Sequence, residues 1–148
     1  MDTTRITPFT AAATSGESVT LPQGLTVLYF YPKDNTPGCT NEAMAFRDLH
    51  PQFLAAGARI LGVSRDSLKS HENFRVKHEL PFELISDPDE TVCNLFGVMK
   101  LKNMYGKQVR GIERSTFVIN SDGDILREWR GLKVPGHAEE VLTFVKSL

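Results

Sequence analysis

At 148 residues with a formal net charge of −1, the chain is long enough for one domain with a sizeable core, read here as residues 1–148, and its composition is that of an ordinary globular protein. No cluster of Lys and Arg stands out and no apolar run approaches the length of a membrane span, which disfavours nucleic acid and membranes as partners. Two widely separated cysteines do not make a disulfide framework, and Met1 to Arg5 opens no long apolar stretch, so the chain reads as belonging to a reducing, cytoplasmic setting with cysteine kept for chemistry.

Residues 1–24 are turn-rich and weakly patterned, and short strands or a hairpin there cannot be placed. From Leu25 the rhythm is clear. Leu25 to Tyr31 reads as a buried strand, followed by a helix from about Pro37 to Leu54 with Phe46, Leu49 and Phe53 at helical spacing and Gly57 as a stop. Ala58 to Ser64 is a second buried strand. Asp66 or Ser67 caps a helix running to about His78, and Phe82 to Ile85 is a short strand. The turn Ser86 to Asp89 starts a helix through Phe96. Thr116 to Ile119 and Asp124 to Leu126, joined across Ser121-Asp122-Gly123, read as a β-hairpin, and a last helix runs from about His137 to Lys146. Strands alternating with helices, closed by a hairpin and a helix, fit an α/β fold: a thioredoxin-like three-layer sandwich with a central mixed β-sheet.

Cys39 has the most informative surroundings. Thr36 suits a helix N-cap and Pro37 the first helical position, so Cys39 falls in the first turn, where backbone N–H groups lack intrahelical partners. The positive end of the helix dipole favours a thiolate there. Burial as a small core residue is the plainer alternative, since Cys39, Ala43 and Phe46 share one helical face. A core cysteine has no use for a Thr-Pro-Gly approach, and the arrangement favours a reactive sulfur.

Pro32, Thr36 and Cys39 form the pattern P-x-x-x-T-x-x-C, which resembles the active-site motif of peroxiredoxins of the AhpC/TSA type. The wider stretch Tyr29 to Asp34, Thr36 to Thr40, Glu42 and Phe46-Arg47-Asp48 resembles the bacterioferritin comigratory protein, or peroxiredoxin Q, branch. Gly62-Val63-Ser64, Asp66-Ser67, Ser70-His71, Ser86-Asp87, Phe96-Gly97-Val98, Arg114 to Phe117 and Gly136-His137 agree with it, so the likeness covers about residues 25–145. The resemblance implies a thiol-dependent peroxidase that reduces hydrogen peroxide and organic hydroperoxides through a sulfenic acid at Cys39. It further implies that Thr36 presents its hydroxyl to the peroxide, Pro32 shields the sulfur, Arg114 supplies a fixed positive charge and Glu42 orients that arginine. It implies no cofactor, a monomer, and thioredoxin, glutaredoxin or a small thiol as reductant.

The chain departs from that branch in its second thiol. Met44 and Arg75 stand at the two familiar resolving positions, and the other cysteine, Cys93, lies in an apolar helical stretch that reads as core. The expectation is a one-cysteine enzyme. An atypical two-cysteine enzyme resolving through Cys93, and a thioredoxin-fold holdase with a vestigial thiol, are the alternatives. His50, His71, His78 and His137 form no metal-binding spacing, and no CxxC, P-loop or nucleophile elbow occurs, so neither a metal site nor a disulfide oxidoreductase is expected.

Overall fold

The run Leu25 to Phe30 is apolar on both faces because it is the middle strand of a five-stranded sheet covered on both sides. The computed structural model describes residues 4–148; Met1 to Thr3, part of the N-terminal stretch considered above, lie outside the described residues. In chain order the elements are β1 (Phe9–Ala12), β2 (Ser18–Leu21), β3 (Leu25–Phe30), α1 (Pro37–Ala55), β4 (Ala58–Ser64), α2 (Leu68–Lys77), β5 (Glu83–Ser86), α3 (Thr91–Leu95), β6 (Met99–Met104), β7 (Lys107–Ile112), β8 (Ser115–Ile119), β9 (Ile125–Arg130) and α4 (His137–Lys146). The main sheet has the order β5-β4-β3-β8-β9, with β3, β4 and β5 parallel, β8 antiparallel to β3 and β9 antiparallel to β8.

The pleat of β3 divides the core in two. Val27 and Tyr29 join residues of α1, α2 and α4, including Phe46, Phe74 and Val141. Leu28 and Phe30 face the other way, among Val19 and Leu21 of β2 and Val92 and Cys93 of α3. The result is a thioredoxin-like three-layer α/β sandwich with a central mixed sheet. Gly62 of β4 pairs with Tyr29, and a Cβ there would lie 2.9 Å from Tyr29 Cζ, so glycine lets the tyrosine ring cross it and stack on Phe46 at 4.8 Å.

Two hairpins add to the expected order. β1 and β2 occupy the stretch that the sequence left unassigned, and Ala13 bridges on to Ile85. β6 and β7, which the sequence reading lacks, turn at Tyr105 (φ 54°) and Gly106 (φ 78°). The helix expected directly after Ser86 to Asp89 is confined to Thr91–Leu95, because Glu90 sits at φ 62° and Asp87 accepts hydrogen bonds from the amides of Val92 (3.0 Å) and Cys93 (2.8 Å). Of the two residues offered as cap of α2, Ser67 is the one, its hydroxyl accepting from the Ser70 amide at 3.2 Å. No helix among the described residues is long and apolar enough to cross a membrane.

Candidate active site

The parallel strands β3 and β4 end at the edge where α1 begins, the position at which open α/β sheets form sites. Thr36 is the N-cap of α1 with extended backbone (φ −91°, ψ 150°), and Pro37 is the first helical residue. Cys39 therefore lies in the first turn, with 1% of its surface exposed. The Thr36 hydroxyl does not cap the helix. It donates to the Lys33 carbonyl at 2.8 Å, which leaves its oxygen lone pairs free to accept. Pro32 is half-buried at the start of the loop leading to Thr36.

Arg114 arrives through sheet topology. β8 runs antiparallel to β3 with Ser115 opposite Phe30, so the residue before β8 stands beside the loop after β3. From there Nη2 of Arg114 reaches to 3.5 Å from Cys39 Sγ, and Nη1 donates to Glu42 Oε1 at 2.8 Å. The guanidinium is thus shared between the sulfur and a buried carboxylate on the same helix. Gly38 makes room for it, since a Cβ at that position would lie 3.2 Å from Arg114 Nη2.

Burial pushes the Glu42 carboxyl up to about 7, against the pull of the Arg114 charge and hydrogen bond. Burial opposes the Arg114 charge, but Glu42 and Cys39 facing it carry its pKa upward on balance. The structure therefore brings Arg114 into contact with both Cys39 and Glu42 and sets Thr36 and Pro32 on the loop that leads to them.

Sequence reasoning passed over a polar cluster behind this loop. Asp34 accepts from Tyr31 Oη at 2.6 Å and from the Ser70 hydroxyl at 2.8 Å, and lies 2.7 Å from Nδ1 of a wholly buried His71. The Asp34 amide donates to Asp66 Oδ2 at 2.9 Å. The sequence signal was Asp34 between Pro32 and Thr36, together with Ser70-His71 at the start of a helix. His78, seven residues on from His71, is the C-cap of α2, where its ring packs on Phe74. Cys93 is fully buried on the far side of the sheet, its thiol pushed up by burial, then by its hydrogen bond to Asp87 and that carboxylate's charge.

Residues 3–127 match the AhpC/TSA family. Peroxiredoxin Bcp of Xanthomonas campestris is 58% identical over 121 residues, covering 82% of this chain and 76% of that protein. Peroxiredoxin Bcp of Bacillus subtilis is 50% identical over 122 residues, covering 82% and 78%. Among solved structures, Xanthomonas campestris peroxiredoxin Q superposes with a TM-score of 0.89 at 51% identity, covering 94% of this chain and 90% of that one. A peroxiredoxin Q cysteine mutant from Xylella fastidiosa superposes at 0.90 with 43% identity, covering 99% and 98%. The chain belongs to the AhpC/TSA family, and within it to the Bcp and peroxiredoxin Q peroxiredoxins, which are thiol-dependent peroxidases.

Proposed function

We propose that Cys39 is the peroxidatic cysteine of a one-cysteine peroxidase acting on hydrogen peroxide and organic hydroperoxides. The observation that carries this reading is Arg114 Nη2 at 3.5 Å from Cys39 Sγ, with Nη1 pinned by Glu42. The Cys39 thiolate attacks one peroxide oxygen; an S–O bond forms, the O–O bond breaks, and the departing oxygen takes up a proton to leave as water or an alcohol. Arg114 stabilises the charge that moves onto the oxygens, and Glu42 holds it in place. Thr36, its own proton committed to Lys33, accepts a hydrogen bond from the peroxide, and Pro32 keeps water from the sulfur. A related structure from Xanthomonas campestris concerns the alkyl peroxide reduction activity of its bacterioferritin comigratory protein, which favours organic hydroperoxides as substrates here.

The sulfenic acid is then attacked by an external thiol, releasing water and leaving a mixed disulfide that a second thiol opens to restore Cys39. Thioredoxin, glutaredoxin and small thiols all have the required chemistry. The position of Cys93 in the opposite half of the core favours this route over resolution within the chain. The contact among Arg114, Cys39 and Glu42 likewise speaks against a holdase with a vestigial thiol. In this reading residues 1–148 form one domain, working as a monomer in the cytoplasm without a cofactor.

The test is intact mass after one equivalent of peroxide without reductant. The expected product gains one oxygen at Cys39, and Cys39→Ser gives no oxidation and no turnover. Loss of two hydrogens would instead mark a disulfide, and turnover retained by Cys39→Ser would remove the assignment.

A further inference from the structure

The catalytic loop is held from behind by a buried contact between Asp34 and His71. His71 has no exposed surface, and both of its ring nitrogens face acceptors. Nε2 lies 2.9 Å from the Ile85 carbonyl oxygen, which can only accept, so Nε2 carries a hydrogen. Nδ1 lies 2.7 Å from Asp34 Oδ2. That carboxylate already accepts from Tyr31 Oη on one oxygen and from the Ser70 hydroxyl on the other. Burial raises the Tyr31 phenol, with the neighbouring Tyr29 and Asp34 adding to it, which keeps Tyr31 a donor. Two hydroxyl hydrogens directed at these oxygens favour the carboxylate form, and a carboxylate places its third partner, Nδ1 at 2.7 Å, as a donor. In that arrangement both ring nitrogens of His71 face an acceptor within 2.9 Å.

We infer that His71 is a positioning residue for the peroxidase reaction: a buried imidazolium that anchors the catalytic loop, through Asp34, to the ends of β4 and β5. The anchor has two further ties. The Asp34 amide donates to Asp66 Oδ2, which also accepts from the Ser64 hydroxyl at 2.5 Å, and the Ser86 hydroxyl donates to the Asp66 carbonyl at 2.6 Å. Asp34 therefore ties the loop after β3 to the loop after β4 directly, and to the end of β5 through His71 and Asp66. It stands two residues before Thr36 and five before Cys39, where a displacement of the loop by about 1 Å is enough to cost on the order of a hundredfold in rate. Asp34, Asp66 and His71 are close enough to hold a cation, but the His71 nitrogens and the Asp34 oxygens are already spoken for by these hydrogen bonds, so the cluster acts as a clamp.

The inference rests on the peroxidase reading of Cys39, and its test separates the two. Nitrogen-15 NMR of the wild-type protein at pH 7 is expected to give two ring N–H groups for His71; a single one overturns the proposal without reference to any variant. In His71→Gln and Asp34→Asn, checked for native near-UV circular dichroism, the single-turnover oxidation of Cys39 by hydrogen peroxide is expected to slow at least tenfold. Reduction of the preformed Cys39 sulfenic acid by dithiothreitol is expected to stay within twofold, because it does not depend on how the loop holds a peroxide. A merely structural role would alter both steps together, and that result, or an unchanged peroxide step, also overturns the proposal. If both variants fail to fold, the wild-type NMR result decides alone. Failure of wild-type Cys39 to be oxidised would count against the reading of the site and leaves the His71 resonances as an independent measurement.

Discussion

Cys39 and Cys93 pack against opposite faces of one sheet. Cys39 lies with Val27 and Tyr29, and Cys93 with Leu28 and Phe30, the alternate residues of β3. A disulfide needs Cα atoms within about 7 Å, so a Cys39–Cys93 bond would require α1 to unwind and its sulfur to move around the sheet edge to the other face. Cys93→Ser is therefore expected to oxidise at the wild-type rate and to turn over normally with an added thiol. Stopped-flow kinetics and intact mass after stoichiometric peroxide check this; a rapid wild-type disulfide that the variant lacks would contradict it.

Arg114 holds Cys39 with one nitrogen and Glu42 with the other. Arg114→Ala is expected to slow peroxide attack by roughly a hundredfold or more, the scale for losing a donor aimed at developing charge. Arg114→Lys recovers only part of this, because a point charge cannot span both partners as the planar fork does. Alkylation of Cys39 by iodoacetamide at pH 7 should slow in Arg114→Ala as the thiolate loses its cation. Near-normal kinetics together with unchanged alkylation would rule out the role.

Gly38 is where helix stability and site geometry oppose each other. It occupies the second position of α1, where alanine is the better helix former by up to about 1 kcal/mol. A Cβ there would meet Arg114 Nη2 at 3.2 Å, so the guanidinium must shift by a few tenths of an ångström. Gly38→Ala is expected to raise or hold the denaturation midpoint while slowing peroxide attack several-fold. Chemical denaturation and single-turnover rates, measured on the same preparation, check the opposite signs.

The site was legible in the sequence wherever its residues are local. Thr36, Pro37 and Cys39 sit on one helix start, so cap preference and the fixed φ of proline locate the sulfur in the first turn. Arg114 was legible only through a resemblance, because its approach depends on β8 returning antiparallel beside β3, and nothing within residues 98–114 encodes that neighbour. The β6–β7 hairpin escaped for a different reason. Its base is buried, through Ile112 and the half-buried Met99, while Leu101 and Val109 are exposed, so its strands show little hydrophobic alternation, and its turn uses Tyr105-Gly106 in place of an Asn-Gly pair. The Asp34–His71 clamp joins residues 37 apart whose polar character reads as loop and helix surface. Only the fold shows that both are buried.

Glu42 should make the protein less stable as pH rises. Burial lifts its carboxyl from about 4.5 in the unfolded chain to about 7 in the fold, with Arg114 pulling the other way. Between those values the folded state binds more protons than the unfolded one. The group's contribution is full below about 4.5 and is lost as pH rises through about 7. Glu42→Gln removes the titration while keeping the shape, so its stability relative to wild type is expected to increase across that window. Urea denaturation at half-unit pH steps measures the difference, and a flat difference would contradict the prediction.

His137 should act in the opposite sense over nearly the same range. It is the first residue of α4, 5% exposed, with Nε2 2.8 Å from Thr116 Oγ1. Burial pushes its pKa down to about 4; Glu140 and Glu139 resist this and the Arg114 charge assists it. Its ordinary value is about 6.5, so between about 4 and 6.5 the unfolded state binds the extra proton. The stability it contributes is present above 6.5 and is lost as pH falls toward 4, with a slope of at most about 1.4 kcal/mol per pH unit. That sign opposes Glu42, and the two slopes largely cancel in the wild type between about 4.5 and 6.5. His137→Gln retains a partner for the Thr116 hydroxyl without the titration. Its midpoint relative to wild type is expected to rise as the solution is acidified from pH 6.5 to 4.5. Measured relative to wild type, the two single variants should show slopes of opposite sign across this window. Slopes of the same sign in the two single variants would show that one of the two burial effects runs the other way.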